Sequence, residues 1–579
     1  MYILGISCFY HDAAACLIKD GKIVAAAEEE RFSRVKHDIR FPINAINFCL
    51  KKAGITGQEL DYVGFYEKPL LKFERLLSQH IEMFPFSFKA FYQSIPLWLN
   101  EKLRVHSLIK KKLKYKGRII FLEHHLAHAA SAYLVSPFKE SAIFTVDGVG
   151  EWTTTALGMA KGNDIELFKQ INFPHSLGLL YSTATAYLGF KVNNDEYKVM
   201  GLAPYGKPRY YEQMKKIIDV KDDGSYKLDM SYFVYHYKLR MPSKKFIREF
   251  GPVRKKEAEI EQRHKDIAAS LQKLLEEVLI KIINELYKET RSENLCMAGG
   301  VALNSVANGR ILRNSPFKRI YIQPAASDAG TSLGVAFYIW NTILGNKRNF
   351  VQKHAYLGPS YTTKEIKEFL DKNQINYTEL KDKELPRIVA KLIWQNKVVG
   401  WFQGAMEWGP RALGARSILS NPCNPKMKDI LNLKVKHREP FRPFAPAVTI
   451  EDAHDYFECD RPIPLAADFM LMVYPVIKEQ RKEIPAVVHV DGSGRLQTIR
   501  REINERYYNV IREFEKFSRV PIVINTSFNI RGEPIVCTPY DAYRCMMGTG
   551  IDYLVMDRFL ITRKDNPRDM WDSERLAKD

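Results

Sequence analysis

The stretch Glu123-His124-His125-Leu126-Ala127-His128 holds the side chains best suited to chemistry in this sequence. His124 and His128 stand four apart, so on a helix both imidazoles project from one face, where they can grip one metal ion. Ala127, Ala129 and Ala130 favour helix here. Taken alone, such a pair equally fits surface or capping histidines. His125, one residue off, faces elsewhere, either to orient a substrate or to sit satisfied in part-buried packing. Carboxylates would have to complete the site. Asp147 ends an apolar strand before a glycine turn, and Asp328 follows another strand in Ser327-Asp328-Ala329-Gly330. Two histidines and two aspartates would suit Fe(II), Mn(II) or Zn(II), whereas each aspartate by itself also fits a turn or a helix cap.

Further along, Gly299-Gly300-Val301-Ala302-Leu303-Asn304 makes a glycine turn between a strand and a helix. Backbone amides there can approach a phosphate at a helix N-terminus, and close packing would explain the two glycines equally well. The C-terminal half carries polar clusters around Glu407–Ser417, Lys436–Pro443, Asp491–Gln497 and Asn525–Asn529. Their arginines stand in loops pinned by proline and glycine, a setting that suits bidentate capture of phosphate or carboxylate more than solvation on a helical face.

These groups need elements to position them. Tyr2–Cys8, Ala13–Lys19 and Lys22–Ala27 read as strands, with Asp20-Gly21 as a hairpin turn. A similar block recurs: Ala142–Asp147, then Trp152–Ala160, then the turn Lys161-Gly162-Asn163, two residues out of step with Lys19-Asp20-Gly21. Ser7 of the first block matches Asp147 of the second, which suggests a duplicated half-domain. Residues 66–118, rich in Phe, Leu and Lys, read as a helical insertion. A long amphipathic helix is expected over Lys255–Lys288, and short strands at Asn294–Ala298 and Arg319–Ile322. The composition shifts near Asn346–His354, so one domain is expected over 1–350. A second is expected over 355–579, opening with a helix at Thr363–Lys372 and carrying strands at Val398–Phe402, Ile522–Ile524 and Tyr553–Met556. Helix and strand alternating through glycine turns imply an α/β chain with mixed sheets.

The bulk properties set the frame. At 579 residues, 46% hydrophobic and 27% charged, the chain is a multidomain globular protein; only the charged tail after Arg563 reads as weakly ordered. The net charge is +20, with a dense run from Lys102 to Arg118. No zinc finger or aromatic RNA-binding signature accompanies it, so it reads as a solvated face, an anionic acceptor site or a membrane-surface contact. The eight cysteines form no C-x-x-C pair, which argues against a disulfide framework and fits a reducing cytoplasm. No secretory leader and no transmembrane helix are expected.

Several segments together resemble the NodU/CmcH family of O-carbamoyltransferases over nearly the whole chain: ILGISCFYHDAAACLIKDG, AAEEERFSRVKHD, EHHLAHAASAY, TVDGVGEW, NNDEYKVMGLAPYG, GGVALN, SDAG, GPRALGARS, REPFRPFAPAV and NTSFNIRGEPIV. The insertion at 66–118 and the tail after Lys564 are the least family-like parts. The resemblance implies an N-terminal ASKHA (actin/hexokinase-like) duplicated domain and a C-terminal YrdC-like α/β domain. It implies ATP, accompanied by Mg2+, and carbamoyl phosphate as substrates, a carbamoyl-adenylate intermediate, and transfer of the carbamoyl group to an acceptor hydroxyl on a sugar or natural-product scaffold. By that resemblance His124, His128, Asp147 and Asp328 become ligands of a divalent metal, iron before manganese or zinc. His11 and Asp12 become carbamoyl-pocket or acceptor-activating residues, and Lys198, Gly299, Gly300 and Asn304 adenylate contacts. Lys436, Arg438, Arg442, Asn525, Ser527 and Asn529 become the cradle for ATP and carbamoyl phosphate, with Arg411, Arg416 and Arg495 as weaker members.

Two rivals stand against this. One is a different ASKHA enzyme, a sugar kinase or a threonylcarbamoyl-transfer protein acting on tRNA, which the basic surface would suit but the GPRALGARS domain would not. The other is a non-catalytic ATP-binding assembly protein. With carbamoyl transfer preferred, no nucleic-acid partner is expected and a homodimer is left open.

Overall fold

A computed structural model of the protein describes residues 1–566; the tail beyond, part of the segment read as weakly ordered, lies outside the described residues. The chain divides into two compact units. The first comprises Met1–Glu29 and His37–Gln352, the second Glu30–Lys36 and Lys353 onward.

The first unit is built on two five-stranded sheets. One contains β1 (Tyr2–Ser7), β2 (Ala14–Lys19), β3 (Lys22–Glu28), β4 (Tyr62–Phe65) and β5 (Arg118–Phe121) in the order β3-β2-β1-β4-β5. The three-strand meander is antiparallel, and β4 and β5 join it in parallel. The other contains β6 (Glu140–Val146), β7 (Thr153–Lys161) and β8 (Asp164–Asn172). After a small hairpin of β9 (Ile218–Val220) and β10 (Tyr226–Leu228), β11 (Asn294–Ala298) and β12 (Arg319–Ile322) complete it. Its order, β8-β7-β6-β11-β12, repeats the first sheet with the same strand directions. The duplication suggested by the two strand–turn–strand blocks is thus a duplication of topology, the same five-strand order and directions occurring twice.

The turns follow local chemistry. Asp20 and Gly21 both take positive φ, as the β2–β3 hairpin requires, and Gly162 does so between β7 and β8. The helix expected from Lys255 begins only at Gln262 and runs to Thr290, because Glu261 and His264 form a capping box there. The expected insertion at 66–118 is the crossover between the parallel strands β4 and β5, residues 66–117, enlarged to three α-helices, Pro69–Glu82, Phe88–Asn100 and Val105–Leu113. The matching crossover between β11 and β12 holds the short helix Ser305–Ile311 and two 3-10 turns, Gly300–Leu303 and Leu312–Asn314.

The second unit carries one nine-stranded mixed sheet. Its strands are β13 (Thr378–Glu379), β14 (Val399–Phe402), β15 (Arg416–Ser420), β16 (Ala445–Thr449), β17 (Met472–Pro475), β18 (Ser493–Ile499), β19 (Ile522–Ser527), β20 (Tyr553–Met556) and β21 (Phe559–Thr562). They lie in the order β13-β21-β20-β14-β15-β19-β16-β18-β17. The helices Leu385–Trp394 and Glu505–Ser518 bury Val389, Ile393, Val510 and Phe514 against Trp401, Val523 and Val555. Glu30–Lys36 belongs to this unit although it lies near the chain start. Arg31 donates to the Gly409 carbonyl at 2.8 Å, and Arg34 to the carbonyls of Pro534 and Ile535 at 2.8 and 2.7 Å.

Candidate functional site

Two helices of the first unit cross at unusually close range. In the helix His124–Tyr133, alanine occupies most positions between the histidines and the end of the helix. The helix Asp328–Phe337 carries Gly334, where a Cβ would lie 1.9 Å from the Ala127 carbonyl oxygen. Small residues permit this approach, and it brings Asp328, at the start of one helix, to the histidine face of the other.

The Nε2 atoms of His124 and His128 stand 3.1 Å apart. Asp147, directly after β6, places Oδ2 3.1 Å from His124 Nε2 and 3.8 Å from His128 Nε2. Asp328 Oδ1 lies 3.7 and 3.8 Å from the same two nitrogens. One ligand atom from each of the four residues falls within 4.8 Å of all the others, and none of the four side chains is more than 4% exposed. Neither carboxylate oxygen of Asp328 has a hydrogen-bond partner, although leaving a buried polar group unsatisfied costs about 1–3 kcal/mol. A divalent cation among these donors would satisfy them together, and the N2O2 set fits a first-row transition metal.

Burial pushes the His124 imidazole well below its usual range despite the pull of Asp147, which keeps it neutral and able to ligate. Burial raises the Asp328 carboxyl to about 6. Burial pushes the Asp147 carboxyl upward too, but hydrogen bonds from His124 and His128 outweigh it and hold the group well below the normal carboxylate range.

The glycine turn serves this centre. Gly299 has φ +99°, and a Cβ there would meet the Val146 carbonyl at 2.2 Å. The Gly300 N–H donates to Asp147 Oδ1 at 2.8 Å, so that amide orients the carboxylate. Asn304 caps the helix Ser305–Ile311 and exchanges hydrogen bonds with Gln272 at 3.1 Å. Lys198 is buried 3.0 Å from Asp195. Glu151 accepts the His124 N–H and also the Lys68 N–H, tying the enlarged crossover to the start of the histidine helix.

His11 and Asp12 lie in the loop between β1 and β2, where Phe9 and Asp12 both adopt left-handed backbone, a strain that concentrates at functional sites. Asp12 holds two histidines: His11 Nδ1 at 3.3 Å and His37 Nδ1 at 2.6 Å. His37 Nε2 in turn meets Asn194 Oδ1 at 2.8 Å. Burial disfavours the charged His11, but Asp328 and Asp12 together raise it to about 10. His37 lies inside the AAEEERFSRVKHD segment and went unnoticed in sequence because nothing local distinguishes it. Lys72 and Arg75, both buried, are further unforeseen neighbours: Lys72 pairs with Glu67 at 2.5 Å and stands over the Tyr10 ring, and Arg75 covers the Phe173 ring.

The second unit gathers cations. Lys436 is buried and donates to Ser527 Oγ at 3.3 Å and to the carbonyl and side-chain oxygens of Asn529 at 2.9 Å each. Burial, then the charges of Arg438 and Arg442, push its ammonium well below the usual range. Arg495 is likewise pushed down by burial and then by Arg411 and Arg442. Like charges are crowded here in a poorly hydrated place, a setting that an anion would relieve. The loop bearing Arg411 is fixed by Glu407, whose Oε1 accepts the N–H groups of Leu413, Ala415 and Arg416. Asn525 supports the same loop by donating to the Ala412 carbonyl at 3.1 Å and to Gln497 at 2.6 Å. Arg438 donates to Asn432 Oδ1 at 2.7 Å, and Arg442 faces Glu439 at 3.7 Å. Arg416 departs from the expectation of a phosphate contact. It is wholly buried, lies over the Phe402 ring, and spends its terminal N–H groups on the carbonyls of Gln403, Gly404, Ala415 and Pro359.

Comparison with known proteins adds the remaining part. A protein of Synechocystis sp. (strain PCC 6803), sll1178, is 48% identical over 98% of this chain and 97% of its own length. The nodulation protein NolNO of Sinorhizobium fredii is 36% identical over 98% of this chain and 81% of its own. Among solved structures, HypF of T. kodakarensis aligns with 59% of this chain and 48% of its own at 15% identity and a TM-score of 0.31, too slight a likeness to argue from. Residues 2–337 match the family described as Carbamoyltransferase N-terminus, and residues 390–563 the one described as Carbamoyltransferase C-terminus. With both halves matched in order over most of its length, the chain belongs to the carbamoyltransferase family of enzymes.

Proposed function

We propose that the protein is an ATP-dependent O-carbamoyltransferase in which each unit performs one half of the chemistry. In the second unit, water releases carbamate from carbamoyl phosphate with loss of inorganic phosphate. A carbamate oxygen then attacks the α-phosphorus of Mg2+–ATP, giving carbamoyl-adenylate and pyrophosphate. In the first unit, an acceptor hydroxyl attacks the carbamoyl carbon, its proton goes to a base, and AMP leaves.

The observation that carries this reading is the buried cluster of His124, His128, Asp147 and Asp328, with the His11–Asp12–His37 chain in the same unit. When bound, a divalent metal such as Fe(II) supplies Lewis acidity toward the carbonyl or phosphate oxygen. The chain's own residues do the rest. Asp147 is aimed by the Gly300 amide. Asp12 orients His11, and with a cation offsetting the Asp328 charge that otherwise holds the imidazole protonated, His11 would be free to take the acceptor proton. In the second unit Arg411, Arg442 and Arg495, with Lys436 and Arg438 nearby, offer the positive charge that a triphosphate demands. Burial protects the activated carbamate from hydrolysis. A sugar or a natural-product scaffold bearing a free hydroxyl is the acceptor class proposed.

Purified protein incubated with ATP and carbamoyl phosphate should release pyrophosphate and accumulate carbamoyl-adenylate, detectable by mass spectrometry. A screen of hydroxyl compounds should then show AMP release with a carbamoylated product. Failure to make pyrophosphate with both substrates present would sink the proposal.

A further inference from the structure

Neither polar centre explains the tip of the enlarged crossover. The helix Pro69–Glu82 starts beside the histidine helix, where Lys68 pairs with Glu123 at 2.8 Å. At 1.5 Å per residue it carries the chain about 20 Å onward before it turns back through Met83–Ser87 into the helix Phe88–Asn100. At that turn Ile81, Phe84, Phe86, Phe88 and Tyr92 are each between 59 and 75% exposed. Scattered exposed apolar residues are ordinary, but five bulky ones within a single turn and its flanks are not. The helices are held below them by buried contacts: Trp98 packs on Phe73, and His80 on Phe91.

The rim is basic. The loop bridged between Phe233 and Pro242 is tied to this end of the helix by Gln79, whose amide donates to the His236 carbonyl. It adds exposed Leu239 flanked by Lys238 and Arg240, with Lys244 following, and Lys89 lies on the second helix. Against these stand the exposed acids Glu74 and Glu82. The separate run from Lys110 to Arg118 lies at the other end of the crossover, where Tyr115 meets the Asp61 carbonyl before β4.

We propose that this tip is a docking element for an anionic lipid bilayer: Ile81, Phe84, Phe86, Phe88 and Tyr92 enter the headgroup–acyl boundary while Lys89, Lys238, Arg240 and Lys244 meet acidic headgroups. Charge complementarity selects this occupant. Aromatic and aliphatic side chains beside lysine and arginine match a peripheral membrane contact. A second copy of the same tip would face the first with cations against cations. Among the described residues no helix is long and apolar enough to cross a membrane, so the contact is peripheral and reversible.

The test uses the full-length protein and sedimentation with two kinds of vesicle, pure phosphatidylcholine and phosphatidylcholine with about a third phosphatidylglycerol. Binding to the anionic vesicles is expected, weakening as salt is raised. The Phe84→Ser/Phe86→Ser variant should bind at least about tenfold more weakly, and Lys89→Glu/Arg240→Glu should lose the preference for phosphatidylglycerol. Unchanged melting temperature and pyrophosphate release would show that these variants are folded. Absence of wild-type binding, or equal binding by Phe84→Ser/Phe86→Ser, overturns the proposal. So does a concentration-dependent dimer that the same variants abolish without any vesicle binding.

Discussion

Gly334 and Ala127 are in van der Waals contact across two helices, and a Cβ on Gly334 would come within 1.9 Å of the Ala127 carbonyl oxygen. That contact fixes the distance between Asp328 and the histidine pair. Gly334→Ala must therefore push the helices apart. Overpacking of this kind costs about 1–3 kcal/mol, and the displaced Asp328 should weaken metal binding. The expected result is a lower melting temperature together with reduced metal content. A Gly334→Ala protein that melts normally and holds metal normally would show that the helix spacing does not matter.

Removing a ligand separates metal binding from folding. His128→Ala leaves Asp328 and Asp147 buried without their cation, so metal measured by elemental analysis should fall to background. Carbamoyl transfer should drop at least about a hundredfold, whereas pyrophosphate release, assigned to the second unit, should persist. Chelation of the wild-type protein should reproduce the transfer defect and lower the melting temperature, because binding to the folded state alone stabilises it.

Much of this centre was legible in the sequence, and the reasons are local. The i, i+4 histidines declare one helical face. Asp147 and Asp328 each follow an apolar strand, and β11, β12 and β20 lie where their apolar runs placed them. What stayed hidden depends on contacts between distant segments. The Gly300 amide on Asp147, the hold of Asp12 on His37, and the membership of Glu30–Lys36 in the second unit leave no periodic trace. Arg416 misled because an arginine in a glycine-rich loop looks alike whether it faces an anion or a ring of carbonyls.

His11 and Asp12 should matter only after the adenylate exists. His11→Gln keeps the size and polarity of the side chain but not its basicity. The transfer rate should fall by about a hundred- to ten-thousandfold, the usual range for loss of a general base. Asp12→Asn should have a smaller effect of the same kind, since it disturbs His11 through orientation. Pyrophosphate release should be unaffected in both. A normal transfer rate in His11→Gln would remove this residue from the mechanism.

The crowded arginines of the second unit predict opposite effects with and without nucleotide. Burial, and then the field of Arg411 and Arg442, disfavours the charged form of Arg495 in the nucleotide-free protein. Arg495→Met relieves that repulsion, so the nucleotide-free variant should be at least as stable to heat as the wild type. A charge-assisted hydrogen bond contributes about 1.5–3 kcal/mol, so losing one contact to a phosphate should weaken ATP binding by about ten- to a hundredfold. The rise in melting temperature that ATP gives the wild type should shrink accordingly, and pyrophosphate release at low ATP should fall. Were Arg495 merely a packing residue, the variant would instead be less stable alone and would respond to ATP as the wild type does.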